Sequence, residues 1–158
     1  MPAYTPGAGT LALGAQRIVA ELRRADGIIL GTPGYHGGIS GLVKNALDYT
    51  EELKSDQRPY LEGRAVGCIV TAAGTQGAVA TLMALRSVVH ALRGWPTPLG
   101  AAIVTANPVF DAAGKCLSTR IETQLKVIAQ QVFDFAALQM KAASGDRRWM
   151  DVTFEQTA

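Results

Sequence analysis

Apolar residues follow two rhythms along this chain. Three short runs, 27–32, 65–71 and 99–105, are apolar without alternation, the pattern of parallel strands covered on both faces. The segments around them repeat apolar residues at steps of three and four, which predicts amphipathic helices. Leu11, the stretch 16–19 and Leu22 fit a helix that ends near Arg24, with Thr10 placed to cap it. Leu42, Val43, Ala46, Leu47 and Leu53 fit a second helix, opened by Ser40. Leu82, Leu85, Val89 and Leu92 mark a third from Ala78 to about Arg93, and Ile121, Leu125, Ile128, Val132 and Phe135 mark a long closing helix. Stretches containing Pro and Gly at 1–9, 57–64 and 107–115 read as loops. The order helix, strand, helix, strand, helix, strand, helix predicts an α/β fold, a doubly wound parallel sheet with right-handed crossovers. One domain over residues 1–143 and a loosely structured tail over 144–158 are expected.

Composition narrows the function classes. A length of 158 residues suits one domain, and 48% hydrophobic with 18% charged residues is ordinary for a globular core. The formal charge is +2, and Lys and Arg are scattered rather than gathered in a stripe with aromatics. Nucleic acid is therefore not an expected partner. No run has the length and apolarity of a membrane span, and no signal core follows a basic start, so no membrane role and a cytoplasmic location are expected. Cys68 in an apolar run and Cys116 in a polar loop lack metal or redox spacing and read as two unpaired thiols.

The chemistry concentrates in two glycine-containing turns. Each follows a strand and precedes a helix, Pro33-Gly34-Tyr35-His36-Gly37-Gly38 and Gly74-Thr75-Gln76-Gly77. Ligands of open α/β sheets bind at that end of the strands, where backbone N–H groups and helix dipoles favour an anion or a polar ring edge. Neither turn matches G-x-G-x-x-G or a nucleotide triphosphate loop. Glycines around Tyr35 and His36 let the main chain approach a flat ligand closely. Tyr35 either stacks on or bonds a ligand, or packs on its own turn. His36 reads as a hydrogen-bonding turn residue, because the other histidine, His90, lies on a helix and a metal site is improbable. Ser40 and Ser87 lie in no nucleophile elbow, Glu51 and Glu52 adjoin on a helix and face apart, and Trp95 reads as a plug at a helix end. Arg86 and Arg93 are expected on solvent or a subunit contact. With no catalytic acid, base, nucleophile or metal in view, an enzyme of this kind borrows its chemistry from a cofactor, and a flavin fits best.

The residues Thr32-Pro33-Gly34-Tyr35-His36-Gly37-Gly38, then Ser40-Gly41 and Lys44-Asn45-Ala46-Leu47-Asp48, resemble the NADPH-dependent FMN reductase family over about residues 25–138. Family members read T-P-E-Y-N-G-S in the turn and S-G-x-x-K-N-A-L-D on the helix. The resemblance implies a flavodoxin-like three-layer fold and FMN as cofactor, with NADPH or NADH as hydride donor. Pro33, Gly34, Tyr35, His36, Gly37 and Gly38 would wrap the flavin ring, and Gly74, Thr75, Gln76 and Gly77 match the second flavin loop. The helix holding Lys44 to Asp48 resembles the one through which members form homodimers, with homotetramers also occurring. Gly34 stands where the family has Glu and His36 where it has Asn, changing polar contacts at the ring edge. Family members also open with a strand and a G-S-x-R-x-x-S loop that holds the FMN phosphate. This chain shows neither, so the fold is expected to be N-terminally incomplete, with 27–32 as an uncovered edge. A start lying upstream is preferred to a partner subunit over the edge or a defective fragment.

The expected function is an FMN-dependent NAD(P)H oxidoreductase that passes hydride to bound flavin and on to a small-molecule electron acceptor such as free flavin or a quinone. No side chain is assigned a proton-transfer role. The alternatives are a flavodoxin-type electron carrier, which would usually be strongly acidic, and a truncated scaffold without FMN.

Overall fold

A computed structural model describes residues 1–7 and 9–144; the expected tail lies outside them but for Ser144. Helix α1 spans Leu13–Arg24, strand β1 Gly27–Tyr35, strand β2 Gly38–Ile39 and helix α2 Gly41–Asp48, which continues as one 3-10 turn over Tyr49–Leu53. Strand β3 spans Ala65–Ala72, helix α3 Thr75–Ala91, strands β4 and β5 Trp95–Pro96 and Ala101–Val104, and helix α4 Thr119–Ala143. β1 and β3 pair in parallel from Gly27 opposite Ala65 to Pro33 opposite Thr71. The other side of β3 takes β4 at its start and β5 at its end, also in parallel. The strand predicted over 99–105 is found as β5, and the two-residue β4 before it is an addition, separated from β5 by Pro98, which offers no backbone N–H to a ladder.

Alternation along the strands sorts the layers. Ile28, Val66, Cys68 and Val70 face one side and pack with Leu47 of α2 and Leu85 and Val89 of α3. Fully burying each of these large side chains contributes ~1.5–3 kcal/mol. On the opposite face, α4 lies close because glycines leave room for it. A Cβ at Gly67 would stand 2.6 Å from Ile128 Cγ2, and one at Gly27 2.5 Å from Val132 Cγ1. Helices on both faces of a mostly parallel sheet make the three layers expected from the sequence.

One edge of the sheet is open among the described residues. β2 pairs with β1 only at Gly34 and Tyr35, so the edge of β1 below them has no strand beside it. A groove of about 460 Å³ runs there between Ile18 and Leu22 of α1, Ile29 and Leu30 of β1, and Val43 and Leu47 of α2. Ile29 is half exposed in consequence. The first residues lie against α2: the Tyr4 N–H donates to Asn45 Oδ1 (2.7 Å), and Asn45 Nδ2 donates to the Pro2 carbonyl (2.8 Å).

At the amino-terminal end of the sheet, Arg64 is almost fully buried. Its guanidinium donates to the carbonyls of Ala25 (2.9 Å), Arg23 (3.1 Å), Tyr60 (3.2 Å) and Glu62 (3.3 Å). Burial and the neighbouring Arg58 lower its pKa, with Asp26 and Asp56 opposing them.

Several local expectations are revised. Thr10 caps nothing; α1 starts after Ala12 without a side-chain cap. Trp95 is no plug, because it lies in β4 with its ring exposed and tilted against Phe135 at 5.8 Å. Arg86 is not free in solvent, since it donates to the Thr97 carbonyl at 2.6 Å. Arg93 is exposed, as expected, where it pairs with Glu62 at 3.2 Å and lies over the Tyr60 ring. Helix α3 begins at Thr75, three residues before the expected start at Ala78.

Candidate functional site

β1 turns back into β2 through two residues. His36 (φ 52°) and Gly37 (φ 78°) both adopt positive φ between Tyr35 and Gly38, which pair with each other. That is the signature of a tight type I′ hairpin, whose twist suits the flanking strands. Thr32, buried at the end of the parallel section, anchors the turn. Its hydroxyl accepts from the Ser40 N–H (3.1 Å) and donates to the Pro33 carbonyl (3.0 Å). Ser40 then caps α2 by accepting from the Val43 N–H. The residues the hairpin lifts outward are Tyr35, His36 and Gly37, and Tyr35 is 65% exposed.

The second loop is the start of a helix. Gly74 is the N-cap of α3 and no side chain caps it. The backbone N–H groups of Thr75, Gln76 and Gly77 therefore belong to the first turn, where no intrahelical acceptor exists, and Thr75 and Gln76 are exposed. The positive end of a seventeen-residue helix faces out at this point.

The two loops meet at the carboxyl end of β1 and β3, and the seam runs through Gly34. A Cβ there would lie 2.8 Å from Thr81 Oγ1 and 3.3 Å from both Ala72 Cβ and the Gly77 carbonyl oxygen. A side chain at 34 would therefore point into the seam with α3. The missing side chain of Gly34 thus has a steric role in the seam. Thr32 and Thr81 are the residues sequence reasoning passed over. Thr32 is the first residue of the turn motif, so its position was visible; Thr81 is one polar residue in an otherwise apolar helix repeat and carries no local signal.

Chemically, the site offers exposed backbone donors, one aromatic ring and no Lys or Arg on either loop. It fits the face and edge of a flat, polar-rimmed ring. It does not, by these loops, supply a cationic grip for a phosphate. Lys44 and Asp48 form an ion pair one turn apart on α2, and on another side of the same helix Leu42, which lines the groove, is 68% exposed.

Residues 4–108 match the family model of NADPH-dependent FMN reductase. The chain belongs to the NADPH-dependent FMN reductase family. A curated relative, an FMN-dependent NADPH-azoreductase from Staphylococcus aureus strain USA300, is 35% identical over 116 residues, 70% of this chain and 56% of the relative. The chain thus spans about half the length of that relative. Among solved structures, a flavodoxin, WrbA-like protein from Agrobacterium tumefaciens superposes with a TM-score of 0.58 at 22% identity, covering 84% of this chain and 78% of that one. The apo form of an NADH:FMN oxidoreductase (EMOB) gives 0.57 at 21% identity, covering 79% and 59%. These likenesses establish the flavodoxin-like fold. In this reductase family chain, the matched region contains both glycine loops and both parallel strands that present them.

Proposed function

We propose that the protein is an FMN-dependent NAD(P)H oxidoreductase, with the flavin ring held between Pro33–Gly38 and Gly74–Gly77. The observation that carries this reading is the meeting of the two loops at Gly34, which brings the hairpin with its exposed Tyr35 to the uncapped first turn of α3. FMN, when bound, supplies a ring that accepts hydride from NAD(P)H and delivers it to a small-molecule acceptor. The chain's residues do the positioning. Tyr35 offers a stacking face or a hydroxyl, the N–H groups of the two turns address the ring edge, and Thr32 keeps the hairpin in place. Holding two reactants in contact accounts for a large share of a rate without any proton-transfer side chain. The cited relative's name, an FMN-dependent NADPH-azoreductase, supports this assignment of cofactor and donor.

The reading extends to a flavodoxin-like reductase domain over residues 1–143 that works in the cytoplasm as a homodimer or homotetramer. Support for the assembly is α2, which presents the exposed Leu42 at the groove and the Lys44–Asp48 pair on another side. No helix among the described residues is long and apolar enough to cross a membrane.

The test is a titration of the purified protein with FMN, followed by flavin fluorescence, and then NADPH oxidation with and without a quinone. Saturable quenching and acceptor-dependent oxidation are expected. Tyr35→Ala should weaken FMN binding several-fold while leaving the unfolding midpoint within the small range typical of exposed positions, about 0.5 kcal/mol. Unchanged FMN fluorescence on adding protein sinks the proposal. Flavin binding without NADPH oxidation favours the electron-carrier alternative.

A further inference from the structure

Gly34 is extended and paired with Ile39, so its backbone needs no glycine for conformational reasons. What excludes a side chain there is α3, with the end of β3. Thr81 Oγ1 would stand 2.8 Å from a Cβ at this position, a separation that real Cβ atoms essentially never show. Thr81 is itself fully buried, and its hydroxyl has no hydrogen-bonding partner among the described residues. A buried, unpaired hydroxyl costs about 1–3 kcal/mol against a satisfied one. Thr81 therefore earns no place through hydrogen bonding; what it does is fill the space between α3 and the hairpin. Ala72 and the Gly77 carbonyl close the same seam from the end of β3 and the first turn of α3.

We propose that Gly34 and Thr81 are a positioning pair that sets the separation of the two ligand loops. The missing side chain of one admits the hydroxyl of the other, and the loops sit at the spacing this contact dictates. The proposal rests on the reading of these loops as the flavin site. Substituting any larger residue at 34 pushes the hairpin off α3 by several tenths of an ångström or more. A ring clasped by both loops is sensitive to that change, since a misplacement of about 1 Å in a positioned site costs on the order of a hundredfold.

The experiment is a small set of variants, Gly34→Ala, Gly34→Ala with Thr81→Ala, and Gly34→Ala with Thr81→Val, each titrated with FMN and each measured for its thermal midpoint and absorption band. Gly34→Ala is expected to raise the Kd for FMN about tenfold. Adding Thr81→Ala removes the blocking atom and restores most of that affinity. Adding Thr81→Val keeps the shape of the threonine without its hydroxyl, and restores little. A purely destabilising effect predicts no such split between Ala and Val. The ligand-free protein gives an independent reading. Amide hydrogen exchange at Gly38 and Ala78 should quicken in Gly34→Ala and return toward the wild-type rate with Thr81→Ala. If the wild-type protein binds no FMN, the flavin reading fails while the exchange data still judge the pair. If Gly34→Ala does not fold, recovery of the fold by Thr81→Ala supports the pair and lack of recovery overturns it. Equal FMN affinity and equal exchange in wild type and Gly34→Ala, or no recovery with Thr81→Ala, overturns the proposal.

Discussion

At the amino-terminal end of the sheet, four backbone carbonyls converge on the buried guanidinium of Arg64, whereas at the carboxyl end the backbone of the hairpin and of the first turn of α3 faces outward. The first arrangement closes the chain on itself. The second leaves donors for something else. Buried polar pairing and outward-facing backbone thus occupy opposite ends of the same strands, and if the carboxyl end is the flavin site as proposed, substitutions at the two ends should separate in what they change.

Arg64→Met is the strongest way to probe that division. It leaves the carbonyls of Arg23 and Tyr60 without their side-chain donor, at about 1–3 kcal/mol for each that stays buried and unpaired, while those of Ala25 and Glu62 keep the Arg58 guanidinium at 3.4 and 3.5 Å. A loss of about 2–6 kcal/mol is expected in urea denaturation. The FMN affinity of the protein that remains folded should not change. A drop in that affinity in Arg64→Met would join the two ends and break the comparison.

Between the ends, in the middle of β3, burial pushes the Cys68 thiol up from its ordinary value of 9.0 to about 11. Between those values the unfolded chain ionises this thiol and the folded one does not. The unfolded state then binds fewer protons, so stability falls as pH rises across the window. Two units correspond to roughly 2–3 kcal/mol. Denaturation midpoints measured at pH 8 and pH 11 should converge more in Cys68→Ala than in the wild type. Equal slopes would show that Cys68 is not sealed in the folded protein.

At the carboxyl end, Thr32→Val removes the acceptor of the Ser40 N–H and should cost about 1–2 kcal/mol. Because this bond fixes the hairpin, FMN affinity should fall in the same variant, which Arg64→Met does not predict. The smallest expected change is His36→Asn. Asn tolerates a positive φ of 52° better than His does, so a gain of a few tenths of a kcal/mol in the thermal midpoint is expected. A loss would indicate that the imidazole makes a contact the hairpin needs.

Much of this architecture was legible in the hydrophobic pattern. The strands at 27–32 and 65–71, the cap at Ser40, the Lys44–Asp48 pair and the long last helix all follow from local periodicity and are found. Failures occurred where the deciding partner is distant or is backbone. Gly74-Thr75-Gln76-Gly77 looks like a turn because it holds two glycines, yet α3 begins inside it with no side-chain cap to mark the boundary. Arg64 reads as an ordinary loop residue because its partners are carbonyls up to 41 positions away, and carbonyls leave no trace in a sequence. Trp95 was misjudged from its Gly and Pro neighbours, though its backbone belongs to a strand. In the candidate site, the turn residues were identified from their glycines. The contact that brings the loops together, between Gly34 and Thr81, joins residues 47 positions apart and could come only from the packing.

The hairpin also bears on the order in which the chain acquires its shape. Tyr35 and Gly38 pair across two residues, while Gly27 must wait for Ala65. A hairpin closes in roughly 1–10 μs once its residues are available. On a ribosome adding about 5–20 residues per second, the 33 residues between Ile39 and Ala72 take roughly 2–7 s. For that interval the hairpin can exist while the apolar strand beneath it has no neighbour, and the nascent chain is most exposed to misassociation before β3 emerges.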